Sequence, residues 1–488
     1  MPADVVLINP AALQTSLREE AVRERYRYAP LGLLSIAGHL MAHGLEVAVV
    51  DIFRENIASK RQFLDLLVES SRAPLVVGIA SYTETYPDTV RVVSAIREVF
   101  PNAKIVLGGP HATFCFDEIL AMCPEVDFVV RSEGESTLLE LIEHLKYPDG
   151  IGLDAIPGLV YREGGLIRVN AARGLITVMD SLPLPPDHLV PESHGPPGDR
   201  IFIVMTSRGC PGKCVFCASR ALSGSRYRTH SAERIFSEIY GHHGDVPAMS
   251  VGIMDDTFLV DKRRLRRFCS FVRESGVDIV WSCKSRVDTL DEETVALISG
   301  CGCRSVHVGA ESGDDDVLRR IGKGVSVVQI LDAVYTLRKY GVRPECSFII
   351  GHHCDTPESI ERTVIVARWI RDSGVGVSII GICTPLPGTP LLNERDEFGL
   401  RILTRNWRDY DLNTVVFETE GFTAEELKQA QYHYDVESVS DPDSRLCLSG
   451  RSHRQLARLL ARYEQRIAAL EPTYAERGID DQESGFRH

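Results

Sequence analysis

Short apolar runs that alternate with helix-patterned segments constrain the fold of this chain of 488 residues more than any other feature. Such runs at residues 4–9, 46–52, 74–83, 104–113 and 126–135 are separated by amphipathic stretches, the first of which ends at Gly44. Regular alternation of this kind is typical of a parallel sheet covered by helices on both faces. The sequence therefore predicts an α/β domain over residues 1–146, with a doubly wound, flavodoxin- or Rossmann-like sheet.

Ligands of doubly wound sheets bind beyond the carboxyl ends of the strands. We therefore expect the loops at 9–30, 80–86, 108–113 and 131–136 to form one crevice. The first of these loops contains the charged run REEAVRERYRY, which favours a solvated face over a substrate contact.

The composition of the sequence changes after this domain. Residues 147–200 are rich in Pro and Gly and predict a linker with a small hairpin. Alternation then resumes, with apolar runs that begin at 201, 249, 278, 304, 345 and 376. Parallel strands with intervening helices predict a partial (β/α)6 barrel over residues 201–402. A small, mainly helical C-terminal region follows over residues 403–488, where SHRQLARLLARYEQRIAAL is amphipathic.

Charge and hydropathy limit the class of partner. Lys and Arg number 54 against 68 Asp and Glu, a net charge of −14 that disfavours nucleic-acid or anionic-membrane binding. No run of about 18 apolar residues predicts a membrane span, and the N-terminus enters a strand rather than a signal segment. We expect a cytoplasmic protein with a small-molecule substrate, no nucleic-acid partner and no membrane partner.

Three of the 13 cysteines have the spacing of metal ligands. Cys210, Cys214 and Cys217 form a Cys-x3-Cys-x2-Cys loop directly after a predicted strand, whereas the other ten are scattered along apolar stretches where reduced Cys acts as a small hydrophobe. A structural zinc needs four ligands, and the nearest His is His230. An electron-transfer cluster with four irons also needs four cysteines. Three cysteines would leave one iron open, which favours a catalytic cluster over zinc or a cluster that only carries electrons.

The loop SRGCPGKCVFCASR, with Phe216 before its last cysteine, resembles the radical S-adenosylmethionine (SAM) enzymes. The resemblance implies a [4Fe-4S] cluster whose open iron binds SAM and whose electron cleaves SAM to a 5′-deoxyadenosyl radical. The segments MDDTFLVDKRR, SRVDTL, VGAESGDDDVLRRIGKG, SFIIGHHCDTPES and TPLPGTPLL are similar to segments of the cobalamin-binding branch of that superfamily. The resemblance spans about residues 4–395.

The resemblance also implies SAM-binding residues at the ends of barrel strands. Asp255 and Asp256 would face the methionyl end of SAM, although Asp is also common in a first helical turn. Ser285, Arg286 and Asp288 end the third strand of the barrel. There Arg286 would bind a carboxylate with two hydrogen bonds, or it would form an ordinary surface ion pair. Glu311 would bind the ribose hydroxyls, and Gly351 would allow close approach to adenine or be a plain turn glycine.

Cobalamin is the cofactor that the resemblance implies for the N-terminal domain. The small residues Ser81 and Thr83, and Gly108 and Gly109, would let the backbone approach the corrin and its nucleotide tail, and RSEGES at 131–136 fits the same branch. The Asp-x-His-x-x-Gly signature that supplies a cobalt ligand elsewhere is absent after the first strand, as is common in this branch. His111 fits a hydrogen-bonded surface residue better than a corrin contact.

Two functions follow from the resemblance. The first is cobalamin-dependent C-methylation of a small molecule, such as a natural product of antibiotic biosynthesis. The alternative is radical dehydration, deoxygenation or rearrangement without cobalamin, for example of an aminoglycoside sugar. Both need an electron donor, either of the flavodoxin or ferredoxin type or a dedicated reductase. A carrier without catalysis conflicts with three cysteine ligands.

Overall fold

A computed structural model describes residues 3–10, 28–55, 57, 59–190, 201–243, 248–436 and 451–470. The charged run within 11–27 lies outside the described residues. The chain divides into two compact units, the first of Met1–Arg200 with Ala221–Gly224 and the second of Ile201–Arg220 with Ser225–His488. The first contains a doubly wound sheet and the second a partial parallel barrel, so the predicted fold class is confirmed.

The first unit is built on a seven-stranded sheet. Its strands are β1 (Val5–Asn9), β2 (Val47–Asp51), β3 (Val76–Ala80), β4 (Lys104–Gly108), β5 (Phe128–Val130), β6 (Leu159–Glu163) and β7 (Leu166–Val169). The spatial order is β2-β1-β3-β4-β5-β6-β7, and the first five strands are parallel. The helices are α1 (Leu31–Ala42), α2 (Lys60–Ser70), α3 (Tyr86–Val99), α4 (Pro110–Phe114), α5 (Phe116–Met122) and α6 (Glu135–Lys146).

The hairpin that the sequence assigns to a linker belongs to this sheet. β6 pairs antiparallel with β5, and β7 pairs antiparallel with β6. Leu159 and Tyr161 are buried in the same core as Val5 and Leu7 of β1, and Val160 is buried as well, whereas β7 is largely exposed. The hairpin therefore forms the edge of the sheet instead of a separate connector.

Helix α2 has no counterpart in the sequence-based prediction. Only Phe63 and Leu67 of its residues are buried, so its apolar pattern is weak. Ser59 caps the helix by accepting a hydrogen bond from the backbone N–H of Gln62. A capping residue and two core anchors are enough to complete the β2–α2–β3 crossover.

The second unit contains six parallel strands in the order β15-β14-β13-β12-β11-β8. They are β8 (Ile201–Val204), β11 (Ala248–Ile253), β12 (Asp278–Ser285), β13 (Cys303–Glu311), β14 (Arg343–Ile350) and β15 (Val377–Ile382); short antiparallel pairs join β9 (Ser207–Arg208) to β10 (Arg228–Thr229) and β16 (Arg401–Ile402) to β17 (Phe417–Glu418). The short helix α7 (Ser219–Ser223) spans the division between the two units. The helices of the second unit are α8 (Ala232–His243), α9 (Lys262–Ser275), α10 (Glu292–Ser299), α11 (Asp315–Arg320), α12 (Val327–Lys339), α13 (Pro357–Asp372), α14 (Pro390–Asn393), α15 (Ala424–Val436) and α16 (Arg451–Ala468).

Aromatic side chains form the centre of this unit's core. Trp281, Phe258 and Phe268 are buried and meet edge to face with ring centroids 5.7–5.9 Å apart. The indole N–H of Trp281 donates to the backbone oxygen of Cys301 over 2.8 Å, so no polar group is left unpaired by burying the ring. Cys301 lies beside Cys269 in this core, with their Cα atoms 5.4 Å apart.

The C-terminal helices complete the second unit. In α16, Glu464 accepts a hydrogen bond from the indole N–H of Trp369 in α13 over 3.0 Å. In α15, the Tyr434 hydroxyl lies 2.8 Å from Ser378 Oγ of β15. Among the described residues, no helix has the length and apolar character needed to cross a membrane.

Candidate active site

The three predicted cysteine ligands lie on one tight loop after β9. All three are unbonded and partly exposed. Gly209 has a φ of +88°, a conformation that glycine adopts without strain, and this lets the chain turn immediately before Cys210. A Cβ placed on Gly212 would lie 3.3 Å from Cys210 Sγ and 3.9 Å from Cys214 Sγ. The first two sulfurs therefore lie on the same side of the loop.

The donor set is that of an iron–sulfur cluster. Cys210, Cys214 and Cys217 are free thiols, and Cys thiolates are the ligands that hold such clusters. Three free thiols on one loop after a strand fit such a cluster. Burial raises the pKa of the Cys214 and Cys217 thiols, so these thiols would release their protons when iron binds.

A turn after α11 packs against the cysteine loop. The backbone N–H of Val215 donates to the Ile321 oxygen over 3.0 Å, and Cys214 Sγ lies 3.9 Å from the Gly322 oxygen. Gly322 has a φ of +73°, and a Cβ there would lie 2.7 Å from the Lys213 oxygen. A side chain at Gly322 would therefore push the cysteine loop away from the turn.

Glu311 ends β13 in an unusual conformation. Its φ is +68°, which is uncommon for a residue other than glycine, and the register of β13 on β14 shifts at this point. Its Oε1 accepts a hydrogen bond of 2.8 Å from Lys323 Nζ. Both side chains are nearly buried, with 10% and 6% of their surface exposed. Although burial lowers the pKa of Lys323, the charges of Glu311 and Cys214 and the hydrogen bond to Glu311 together outweigh it, and the pKa is raised.

The structure places the two predicted aspartates in different environments. Asp256 is exposed, and its charge acts on Cys217. Asp255 is buried, and its carboxylate accepts hydrogen bonds of 2.5–3.0 Å from the backbone and hydroxyl groups of Thr206 and Ser207. Arg264 lies 3.8 Å away. Asp255 therefore holds the chain between β8 and β9, just before the cysteines.

We expect Asp255→Ala to destabilise the second unit by about 3–5 kcal/mol, because the replacement leaves Arg264 and four donors without their acceptor. Denaturation followed by tryptophan fluorescence measures this, since Trp281, Trp369 and Trp407 all lie in that unit. Asp396→Ala is the control, because 95% of the Asp396 side chain is exposed. Equal effects of the two replacements would contradict the assigned role.

The other predicted residues also lie at the carboxyl ends of the strands. Ser285 is buried at the end of β12, with its hydroxyl 2.8 Å from Thr289 Oγ1. Arg286 donates to both carboxylate oxygens of Asp288 over 3.0 Å and to the Lys323 backbone oxygen over 2.9 Å. Gly351 follows β14 with a φ of +81°, and its N–H donates to Asp355 Oδ2. The Arg286 fork therefore already binds an internal carboxylate.

His352 is a residue that the sequence interpretation did not select. It lies after β14, is buried, and its ring is centred 5.2 Å from that of Phe216 in the cysteine loop. Its Nε2 has no hydrogen-bond partner among the described residues. Burial, reinforced by His353, lowers the pKa of His352 to about 3. The signal that could have found it is the pair of His directly after a predicted strand.

The lowered pKa of His352 predicts acid destabilisation of the apoprotein. Between pH 6.5 and 3 the unfolded chain binds a proton at this residue and the folded chain does not, so stability is present above this range and is lost as pH falls. From pH 7 to 5 we expect about 2 kcal/mol less stability from this residue. His352→Leu should remove that part of the pH dependence in tryptophan-monitored denaturation. Replacing the exposed His433 by Leu should leave the pH dependence of stability unchanged. Identical pH profiles for the wild type and both variants would contradict the prediction.

A second site lies at the carboxyl ends of β3 and β4 in the first unit. The Ser81 N–H donates to the Gly108 oxygen over 2.8 Å, and the Ser81 oxygen accepts from the His111 N–H over 3.0 Å. Gly109 has a φ of +93°, and a Cβ there would lie 3.0 Å from the Ser81 oxygen. The buried Ser81 hydroxyl has no partner in the described part of the chain. A glycine cradle with an orphaned hydroxyl fits a ligand that approaches the backbone closely.

His111 and Thr83 border this second site. His111 Nδ1 lies 3.3 Å from Thr83 Oγ1, and the His111 ring lies 4.3 Å from the Tyr86 ring. The sequence places His111 on the surface, but the structure buries it completely. Burial lowers its pKa to about 4, so the imidazole is neutral near pH 7.

Two family models match the chain. The radical SAM superfamily model matches residues 204–367, and the B12 binding domain model matches residues 22–142. An uncharacterised methyltransferase of Pyrococcus horikoshii is 35% identical over 402 residues, which cover 82% of this chain and 85% of that protein. The cytidylyl-2-hydroxyethylphosphonate methyltransferase of Streptomyces wedmorensis is 27% identical and covers 80% of this chain and 81% of its own length.

Two solved structures share the fold. The radical SAM methyltransferase TsrM from Kitasatospora setae, with cobalamin and a [4Fe-4S] cluster bound, aligns with a TM-score of 0.67 over 97% of this chain and 100% of its own, at 17% identity. The cobalamin-dependent radical SAM enzyme OxsB, with aqua-cobalamin bound, aligns with a TM-score of 0.69 over 88% of this chain and 66% of its own, also at 17% identity.

The cysteine loop after a barrel strand and the family match define the class: the chain is a radical SAM enzyme. It belongs to the branch of that superfamily that carries a B12-binding domain. Its cofactors are a [4Fe-4S] cluster, SAM and cobalamin, so the predicted cofactors are confirmed. Such an enzyme needs a small-molecule substrate and a reductant. Cobalamin-dependent methylation is favoured over dehydration without cobalamin.

Proposed function

We propose that this enzyme transfers a methyl group to a carbon atom of a small natural product, as a step in antibiotic biosynthesis. The cysteine loop carries the proposal, because it presents three free thiols and holds the sulfurs of Cys210 and Cys214 over Gly212. The match of residues 22–142 to a B12 binding domain supports methyl transfer rather than dehydration. The methyltransferase names of two relatives support the same choice.

The residues of the second unit receive the following proposed roles. Cys210, Cys214 and Cys217 hold the cluster. Glu311 and Gly351, at the ends of β13 and β14, contact the nucleoside part of SAM. Asp256, Ser285 and Arg286 lie nearer its methionyl part. Asp255 supports the site indirectly, because its carboxylate is fully occupied by Thr206 and Ser207.

In the first unit, Ser81 and Thr83 with Gly108 and Gly109 would hold cobalamin. The buried Ser81 hydroxyl offers a hydrogen bond, and the two glycines leave room beside the backbone. When bound, the cluster supplies an electron that cleaves SAM, and cobalamin supplies the methyl group. The chain itself holds these groups at fixed strand ends and limits the access of water.

We further propose residues 1–146 as the cobalamin domain, 201–402 as the SAM domain and 403–488 as a supporting region. Residues 147–200 would connect the first two, and their hairpin β6–β7 completes the sheet of the first unit. A cluster with an open iron is stable in a reducing compartment, which supports a cytoplasmic location. The electron donor would be of the flavodoxin or ferredoxin type or a dedicated reductase, since each transfers single electrons.

Anaerobic reconstitution tests the proposed function. The purified protein is given iron, sulfide and cobalamin, and its cobalamin content is read from the absorbance spectrum. With a reductant and SAM, we expect formation of 5′-deoxyadenosine to depend on the cluster and formation of S-adenosylhomocysteine to depend on cobalamin. A preparation that is fully active without cobalamin would overturn the methylation proposal.

A further inference from the structure

Lys323 is a buried cation that lies beside the cysteine loop. Only 6% of its side-chain surface is exposed, and its Nζ donates to Glu311 Oε1 over 2.8 Å. A buried ammonium is costly unless a carboxylate or similar group is paired with it. The pair is therefore a fixed element of the site, in contrast to the exposed pair that Lys339 forms with Glu292 on the same unit.

The pair occupies the space that Gly309 leaves free. A Cβ on Gly309 would lie 2.8 Å from Lys323 Nζ and would also collide with Glu311 Oε1. The Glu311 carboxylate therefore folds back over its own strand, where Lys323 donates a hydrogen bond to it. Among the described residues, Lys323 is the charged side chain that forms an ion pair with Glu311. Without Lys323, no ion pair would hold the Glu311 carboxylate in this orientation.

The backbone around Lys323 connects the pair to the cysteine loop. The preceding residue, Gly322, packs against Lys213 and Cys214, and the Lys323 oxygen accepts a hydrogen bond from Arg286 Nη2 over 2.9 Å. Because Lys323 directly follows Gly322, the buried pair of opposite charges lies beside the cysteine loop. Charges in a partly dry site interact over several ångströms with little screening.

We propose that Lys323 is a positioning residue that fixes the Glu311 carboxylate over Gly309 and, through its own charge, favours the reduced form of the cluster. The inference rests on the proposed function, because it requires a cluster on the three cysteines. Reduction adds one electron, and hence one negative charge, to the cluster. A fixed positive charge beside the cysteine loop stabilises that form, and nearby charge is one of the factors that set cluster potentials.

A redox titration of the reconstituted full-length enzyme tests this, with dithionite as reductant and without SAM or substrate. The reduced cluster is counted by its electron paramagnetic resonance signal. Lys323→Met leaves Glu311 unpaired, so at the wild-type midpoint we expect the ratio of reduced to oxidised cluster to fall about tenfold, which is about 59 mV for one electron. Glu311→Gln should shift the ratio in the opposite direction, and the double variant should return towards the wild type.

Two further comparisons separate charge from structure. Lys323→Arg keeps the charge and should keep a potential close to that of the wild type. Lys339→Met and Glu292→Gln alter the exposed pair and should leave the potential unchanged. Shifts of the same sign in Lys323→Met and Glu311→Gln, or no shift in either, would overturn the proposal. If Lys323→Met takes up no cluster, the sign of the Glu311→Gln shift decides. A wild-type protein without a cluster signal would instead refute the proposed function.

Discussion

Replacement of Cys214 by Ala is expected to abolish SAM cleavage, with a loss of at least about a thousandfold in 5′-deoxyadenosine formation. The same result is expected for Cys210→Ala and Cys217→Ala. With three thiolates, one iron is left open for SAM, so the loop has no spare ligand. Iron content and the visible absorbance of the reconstituted protein should fall together with the activity.

Cys115→Ala is the matched control for these three variants. Cys115 is also unbonded and partly exposed, but it lies in the first unit, between α4 and α5. We expect this variant to keep its iron and its SAM cleavage. If any of the three loop variants retained wild-type SAM cleavage, the assignment of that cysteine to the cluster would be wrong.

Most of the architecture follows from local patterns in the sequence. Buried strands such as β1 and β3 are continuous apolar runs, and the helices between them have one apolar face, so periodicity is enough to predict parallel sheets. The placement of the hairpin β6–β7 does not follow in this way. Its pairing with β5 depends on which sheet edge is open, which is a property of the folded unit.

The candidate site likewise contains features that the sequence predicts and features that it does not. The cysteine loop is predictable because its three ligands lie within eight consecutive positions and the number of ligands is itself informative. The partners of Asp255 are not predictable, because Thr206 and Ser207 lie almost fifty positions earlier in the chain. Likewise, the contact of Lys323 with Glu311 depends on the bulge at the end of β13 and on the turn after α11. Such contacts arise from tertiary packing and leave no local signal.

Gly109→Ala is expected to lower cobalamin binding at least about tenfold while SAM cleavage by the cluster persists. A methyl group there would press against the Ser81 backbone, with 3.0 Å to its oxygen and 3.1 Å to its nitrogen. The residue also has a φ of +93° with a ψ of −175°, a conformation that is essentially limited to glycine and costs alanine about 1–3 kcal/mol. Because Ser81 N–H and oxygen tie β3 to the turn after β4, the collision would displace the orphaned Ser81 hydroxyl.

Gly44→Ala separates the collision from the backbone strain. Gly44 lies in the same unit with a φ of +79°, but a Cβ there would contact nothing within 4 Å. It should therefore cost backbone strain without a collision and leave cobalamin binding unchanged. Bound cobalamin is measured by absorbance after gel filtration, and cluster function by 5′-deoxyadenosine formation. If both glycine variants lost cobalamin equally, general destabilisation of the first unit would explain the loss. If neither lost it, cobalamin would not bind at Ser81 and Gly109, and the carboxyl ends of other strands would have to supply its site.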